Sequence, residues 1–180
     1  MEETGRSGFT LIELLVTLAL VALLAGLAVP AMGRFIDSGR LRGAAEQLVQ
    51  ELRQARNRAL TFQHSVYFSF SNSQTAGWCY GWSDRGHCDC RLNTAEAGAC
   101  VSGDTGAASL HRQGAADFPS VALEAPAAIA TRPLRFAAIR GTARAASLVL
   151  RNRAGEVRVI ISPLGRVRSC STRGTAFPPC

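Results

Sequence analysis

The chain has 180 residues, 47% of them hydrophobic and 18% charged, with six cysteines and a net charge of +7. That length and balance exclude a disordered tail, a collagen-like or low-complexity chain, a (β/α)8 barrel and a two-domain enzyme. All twenty basic residues are arginine, and they are unevenly placed: residues 1–60 hold seven against six acids, 61–130 three against six, and 131–180 ten against the single Glu156. Basicity gathered in the last 50 residues points to a polyanionic partner, either nucleic acid or an anionic membrane surface. Genome base composition accounts for Arg in place of Lys but not for this segregation.

Residues 9–32 form an apolar run with one charge, Glu13. As a helix the run spans ~36 Å, more than the ~30 Å of a hydrocarbon core. A secretory signal has a shorter apolar core with its cleavage site after it; here the only processing-like site, Arg6-Ser7-Gly8, lies before Phe9. An acid in a membrane helix needs a headgroup-level position or a positive partner. An amino group freed at Phe9 by a cut after Gly8 would be such a partner.

Pro30 predicts a bend rather than an end to this helix. Beyond Gly39, apolar residues recur at Leu41, Ala44, Ala45, Leu48, Leu52, Ala55 and Ala59. Steps of three and four give one stripe, while Arg42, Glu46, Gln50, Arg53 and Asn57 form a polar face. One helix from about 9 to about 60 follows, its first half in lipid or a filament core and its second half packed on a globular domain. A free membrane-surface helix fits less well, because the stripe has no aromatics.

The remainder reads as β-rich. Residues 66–70 predict a strand, as do 120–123, 134–136, 147–151, 156–162 and 166–170. Turn signals at Asn152-Arg153-Ala154-Gly155 and Pro163-Leu164-Gly165 separate several of them. The expected class is α+β, an antiparallel sheet from the C-terminal half laid on the helix stripe. The stretch of about 72–118 is polar, Gly-rich and reads as an insertion.

That insertion carries Cys79, Cys88, Cys90 and Cys100; Cys170 and Cys180 lie near the C-terminus. Six cysteines allow fifteen pairings. Cys88 and Cys90 are too close to pair with each other, Cys170–Cys180 would close a C-terminal loop, and Cys79 and Cys100 flank the insertion. A metal site from His87, Cys88 and Cys90 competes with disulfides, but one C-x-C beside a histidine is a weak signal. Catalysis finds no pattern: His64, His87 and His111, with Ser109 and Asp104 near the last, form no nucleophile motif, and there is no phosphate loop or zincin motif. No enzyme activity, cofactor or metal is expected.

Gly8-Phe9-Thr10-Leu11-Ile12-Glu13-Leu14-Leu15-Val16 resembles the N-terminal motif of type IV prepilins and type II secretion pseudopilins. The resemblance implies cleavage after Gly8 by a prepilin peptidase, N-methylation of Phe9, and a role for Glu13 in aligning a subunit on its neighbour. Gly81-Trp82, Leu148-Val149-Leu150 and residues 157–162 running into Gly165-Arg166-Val167-Arg168 are similar to the GspH/FimT group of minor pseudopilins and pilins. The implied fold is type IV pilin-like, with a leader 1–8, a membrane and assembly half-helix 9–33, an amphipathic half 34–61 and a β-rich domain 62–180. The implied partners are other pilin subunits, the peptidase, the pilus assembly platform and inner-membrane lipid. The positive-inside rule applied to Arg34, Arg40 and Arg42 would put the C-terminal side in the cytoplasm. The family topology and six cysteines in a small domain favour an oxidising periplasm instead, with the subunit later in a pilus.

The basic C-terminus carries the binding expectation. In an extended strand Arg166 and Arg168 project to one face, and Gly165 lets the backbone turn sharply or approach closely. Guanidinium forks suit phosphate oxygens; Arg151, Arg153, Arg158 and Arg173 would extend the patch. An Arg-rich solvated sheet face explains the same residues without a ligand. Gly165-Arg166-Val167-Arg168 resembles the G-R-x-R motif of FimT-type minor pilins, which implies DNA binding during uptake for natural transformation. With only Phe136 and Phe177 near, phosphate contacts to duplex DNA fit better than base stacking on a single strand. The rival expectation is a GspH-like structural subunit of type II secretion; a third is an adhesin that binds through the insertion.

Overall fold

The computed structural model describes residues 10–73, 77–94, 96–103, 108–130, 132–173 and 177–180, without the side chains at 27, 29–31, 130 and 173. Gly8 and Phe9 therefore lie outside the described residues. The chain divides into two compact units, Met1–Ile36 and Asp37–Cys180.

Helix α1 runs Leu11–Thr61, close to the span its periodicity predicts, and it is helical through position 30. Its start is capped: the Glu13 N–H donates to Thr10 Oγ1 at 3.3 Å, which satisfies one of the orphan donors of the first turn. In the first unit Leu11, Ile12, Leu14, Leu15, Leu18 and Val21 are all exposed, a surface that water alone would not favour. Among the described residues no helix is long and apolar enough to cross a membrane; the side chains at 27 and 29–31, which interrupt the apolar run, are not described.

In the second unit the predicted stripe is the core face. Leu41, Ala44, Ala45, Leu48, Leu52, Ala55 and Ala59 are all buried. The strands of this unit are β1 (Val66–Ser73), β2 (Gly77–Ser83), β3 (Val101–Ser102), β4 (Ser109–Leu110), β5 (Arg112–Gly114), β6 (Ala122–Glu124), β7 (Leu134–Phe136), β8 (Ala146–Asn152), β9 (Gly155–Ile161) and β10 (Val167–Arg173). A single turn of helix, α2 (Ala127–Ala130), precedes β7. The strands form two four-stranded sheets, β5-β2-β1-β7 and β10-β9-β8-β6, and a β3-β4 pair, with every pairing antiparallel.

The expectation of one C-terminal sheet is thus corrected to two sheets, and the 72–118 stretch is not simply a loop. It supplies β2, β5 and the β3-β4 pair. In β2 the alternating Trp78, Tyr80 and Trp82 are buried, a period-two pattern that faces the core. Trp82 Nε1 donates to Glu51 Oε2 at 2.7 Å, and Trp78 Nε1 to the Val121 carbonyl at 2.7 Å. These bonds satisfy both indoles and tie the first sheet to α1 and to the chain leading into β6. Asn152 donates to the Asp37 carbonyl at 2.6 Å and Ser120 to the Asp37 carboxylate at 3.0 Å, fixing α1 to the second sheet. Among the described residues the main core cluster runs from Leu41 to Val167. The Asp37–Cys180 unit therefore holds that core entirely, which is what a domain able to fold alone requires.

Disulfides join Cys79–Cys90, Cys88–Cys100 and Cys170–Cys180. The C-terminal loop closes as expected. The two bridges of the insertion interlock, so Cys79 and Cys100 flank it without pairing with each other. Both thiols of the His87–Cys88–Cys90 metal alternative are consumed. Gly81 allows this arrangement: a Cβ there would lie 2.7 Å from Cys100 Sγ and 2.6 Å from the His111 carbonyl.

Accessibility orders these bridges for reduction. Cys88 and Cys100 are buried, whereas Cys180 is exposed. Graded dithiothreitol followed by alkylation and mass spectrometry should label Cys170 and Cys180 first, and Cys88 and Cys100 only with loss of the fold. Early labelling of Cys100 in folded protein would contradict the buried cluster.

Candidate nucleic-acid interface

The turn into β10 is closed by its own backbone. The Gly165 N–H donates to the Ser162 carbonyl at 2.8 Å, the Ser162 N–H to the Arg166 carbonyl at 2.9 Å, and the Arg166 N–H to Ser162 Oγ at 3.1 Å. Gly165 has φ +71° and is buried. A Cβ on it would lie 1.9 Å from the Gly141 carbonyl oxygen and 2.8 Å from Arg56 Nε. No other residue fits there.

Helix α1 runs alongside. Arg56 Nε donates to the Gly141 carbonyl at 3.3 Å, its terminal nitrogen reaches the Leu164 carbonyl at 3.5 Å, and Arg53 donates to the Val167 carbonyl at 3.3 Å. Val167 turns into the core opposite Ile161, while Arg166 and Arg168 stay exposed. Between helix and strand lies a groove of about 730 Å³ whose lining includes Arg53, Arg56, Asn57, Ser162, Arg166 and Arg168. Among the described residues no Asp or Glu lines it. Among the described residues none of the four arginines forms an ion pair. Uncompensated guanidinium groups converging on one concavity form a positive field suited to phosphate oxygens.

The other predicted arginines lie apart. Arg151 is paired with Glu124, and an Arg158 terminal nitrogen is 3.9 Å from Glu156. Arg153 occupies the β8-β9 turn, at the opposite end of a seven-residue strand from Gly165, roughly 20 Å away at about 3.4 Å per residue. The side chain of Arg173 is outside the described residues. The groove thus keeps Gly165, Arg166 and Arg168 and adds Arg53 and Arg56. The i, i+3 spacing of these two put them on one helix face, but nothing in the sequence told which strand edge would lie beside it.

His111 touches Ser102 Oγ at 2.8 Å through Nε2 and stacks on Trp82 with ring centres 3.7 Å apart. Burial, with Arg58 adding to it, pushes its pKa down against the opposing pull of Glu51 and Asp84. Ser102 is only 3% exposed, whereas His111 is half-buried. Asp104 lies outside the described residues.

A helix packed on antiparallel sheets, preceded by an apolar half that begins Phe9-Thr10-Leu11-Ile12-Glu13, defines a pilin-like subunit. Residues 44–165 match the family model of the type II transport protein GspH, and residues 4–29 match that of the prokaryotic N-terminal methylation motif. The chain belongs to the GspH family of pilin-like proteins. Two crystal forms of the type IV minor pilin FimU of Pseudomonas aeruginosa are similar at 18% identity and a TM-score of 0.47. One match covers 76% of this chain and 98% of that one, the other 74% and 90%. No curated protein sequence gives a significant match. The GspH match stops at Gly165, so Arg166 and Arg168 lie just beyond it.

Gly165→Ala should destabilise the Asp37–Cys180 unit by about 2 kcal/mol or more, because it adds left-handed strain to a backbone clash. Thermal unfolding checks this; an unchanged midpoint would mean that the two turns are not in contact.

Proposed function

We propose that this chain is a minor type IV pilin that binds duplex DNA without sequence preference during DNA uptake. The observation carrying this reading is the groove that four arginines, and among the described residues no acid, line. Arg166 and Arg168 are its principal phosphate contacts. Arg53 and Arg56 hold the turn with part of each guanidinium and offer the remaining N–H groups to a neighbouring phosphate. Arg151, Arg153, Arg158 and Arg173 are at most peripheral. One domain binds weakly, and several subunits along one duplex gain by avidity.

In this reading the chain is cut after Gly8 and methylated at Phe9, the helix of 9–33 sits in the inner membrane with the domain in the periplasm, and Glu13 aligns the subunit for assembly. The matched N-terminal methylation motif supports these steps. A second reading, a structural subunit of a type II secretion apparatus with no DNA role, is favoured by the description of the family model.

Titration of the oxidised Asp37–Cys180 unit with duplex DNA separates the two. Binding should fall steeply with salt, and Arg166→Gln with Arg168→Gln should flatten the log–log slope by about 1.8, at ~0.9 per phosphate contact. Arg53→Gln should remove about a further 0.9. No binding at low salt, or an unchanged slope in the double variant, leaves the structural reading. Mass spectrometry of membrane-extracted protein should find N-methylated Phe9 as the first residue; an intact Met1 leader would count against processing.

A further inference from the structure

Two turns meet at the lip of the groove. In residues 137–141 the Gly141 N–H donates to the Ala137 carbonyl at 2.9 Å and the Arg140 N–H to the Ala138 carbonyl at 2.7 Å. In residues 162–165 the Gly165 N–H closes on Ser162. Arg56 donates to a carbonyl on each turn. Each turn carries one large apolar side chain outward: Ile139 is 72% exposed and Leu164 64% exposed. Arg140 follows the first and Arg166 the second, both exposed.

Ile139 has φ +67°. A β-branched residue in this left-handed region is strained, and Asn or Gly would sit there more easily. With so little of it buried, no packing offsets the strain. The fold therefore gains nothing from isoleucine at 139, and the turn holds it outward beside the arginines.

We propose that Ile139 and Leu164 form an apolar wedge that enters the minor groove of duplex DNA and partly unstacks a base step, while the groove arginines hold the flanking phosphates. This rests on the DNA-binding reading and deepens it. Apolar wedges set beside arginines are how proteins kink a duplex at the minor groove. Two side chains fall far short of the roughly 800 Å² per partner of a stable protein interface. A flat lipid surface would meet only the tip, whereas Arg53 and Arg168 line a concavity that suits a ridge of phosphates. Binding then favours sites that unstack cheaply, mismatches above all, without reading bases.

The test uses the oxidised Asp37–Cys180 unit and a duplex with dyes at both ends and 2-aminopurine at a central TA step. Wild type should shorten the end-to-end distance, raise 2-aminopurine fluorescence and bind a centrally mismatched duplex several-fold tighter. Ile139→Asn should melt at the same or a higher temperature, keep the salt slope, and lose both the bend and the mismatch preference. Leu164→Ser, which relieves no strain, should lose them too. DNA binding with a normal salt slope but no bend, or a bend that survives both variants, overturns the wedge and leaves the DNA reading standing. A lower melting temperature for Ile139→Asn overturns the strain argument. Tighter binding to phosphatidylglycerol vesicles than to duplex, lost in Ile139→Asn, overturns the wedge in favour of lipid. No duplex binding at low salt overturns both readings.

Discussion

The groove depends on one close approach: Gly165 against the Gly141 carbonyl, with Arg56 spanning both turns. Any side chain at 165 would push the turns apart. With them would go the register that sets β10 beside α1, since Arg53 reaches β10 through the Val167 carbonyl. The glycine ahead of the two arginines thus does more than let the chain bend. It allows Arg53 on the helix and a strand whose Val167 lies 114 residues on in sequence to present their cations to the same space.

That geometry divides the arginines by task. Arg58 binds Asp84 at 2.7 Å, Arg151 binds Glu124, and Arg158 approaches Glu156; their charge is locally answered. Arg53 and Arg56 spend some donors on backbone carbonyls and keep the rest. Among the described residues Arg166 and Arg168 form no ion pair. A net charge of +7 says little about binding by itself; what counts is which cations remain uncompensated and share a concavity.

The helix was legible because a seven-residue stripe with a 3.6 period has one buried solution, and the structure buries each of those residues. The strands 134–136, 147–151 and 156–162 were legible from alternation between turn signals. The Trp78-Cys79-Tyr80-Gly81-Trp82 alternation carried the same signal, but glycines and cysteines around it read as loop. The interlocked disulfides were not legible, because pairing depends on Gly81 letting Cys100 lie against β2. Arg53 and Arg56 were visible only as a polar helix face, and strand order decided their role. Arg153 was grouped with Arg166 on sequence proximity, which a hairpin converts into distance.

Strand β10 is an edge strand of its sheet, and an open edge invites pairing with another chain. Here the edge is occupied near its start and near its end. Arg53 takes the Val167 carbonyl, and farther on the Ser171 N–H donates to the Pro178 carbonyl while the Ser171 carbonyl accepts from Cys180. The Cys170–Cys180 bridge pins that returning tail. Side-chain cation and disulfide-held tail together take up backbone groups at Val167 and Ser171 that a neighbouring strand would otherwise pair, yet leave Arg168 exposed. The same bridge that guards the edge also holds the strand that carries Arg168, so stability of the fold's last element and geometry of the groove are one constraint rather than two.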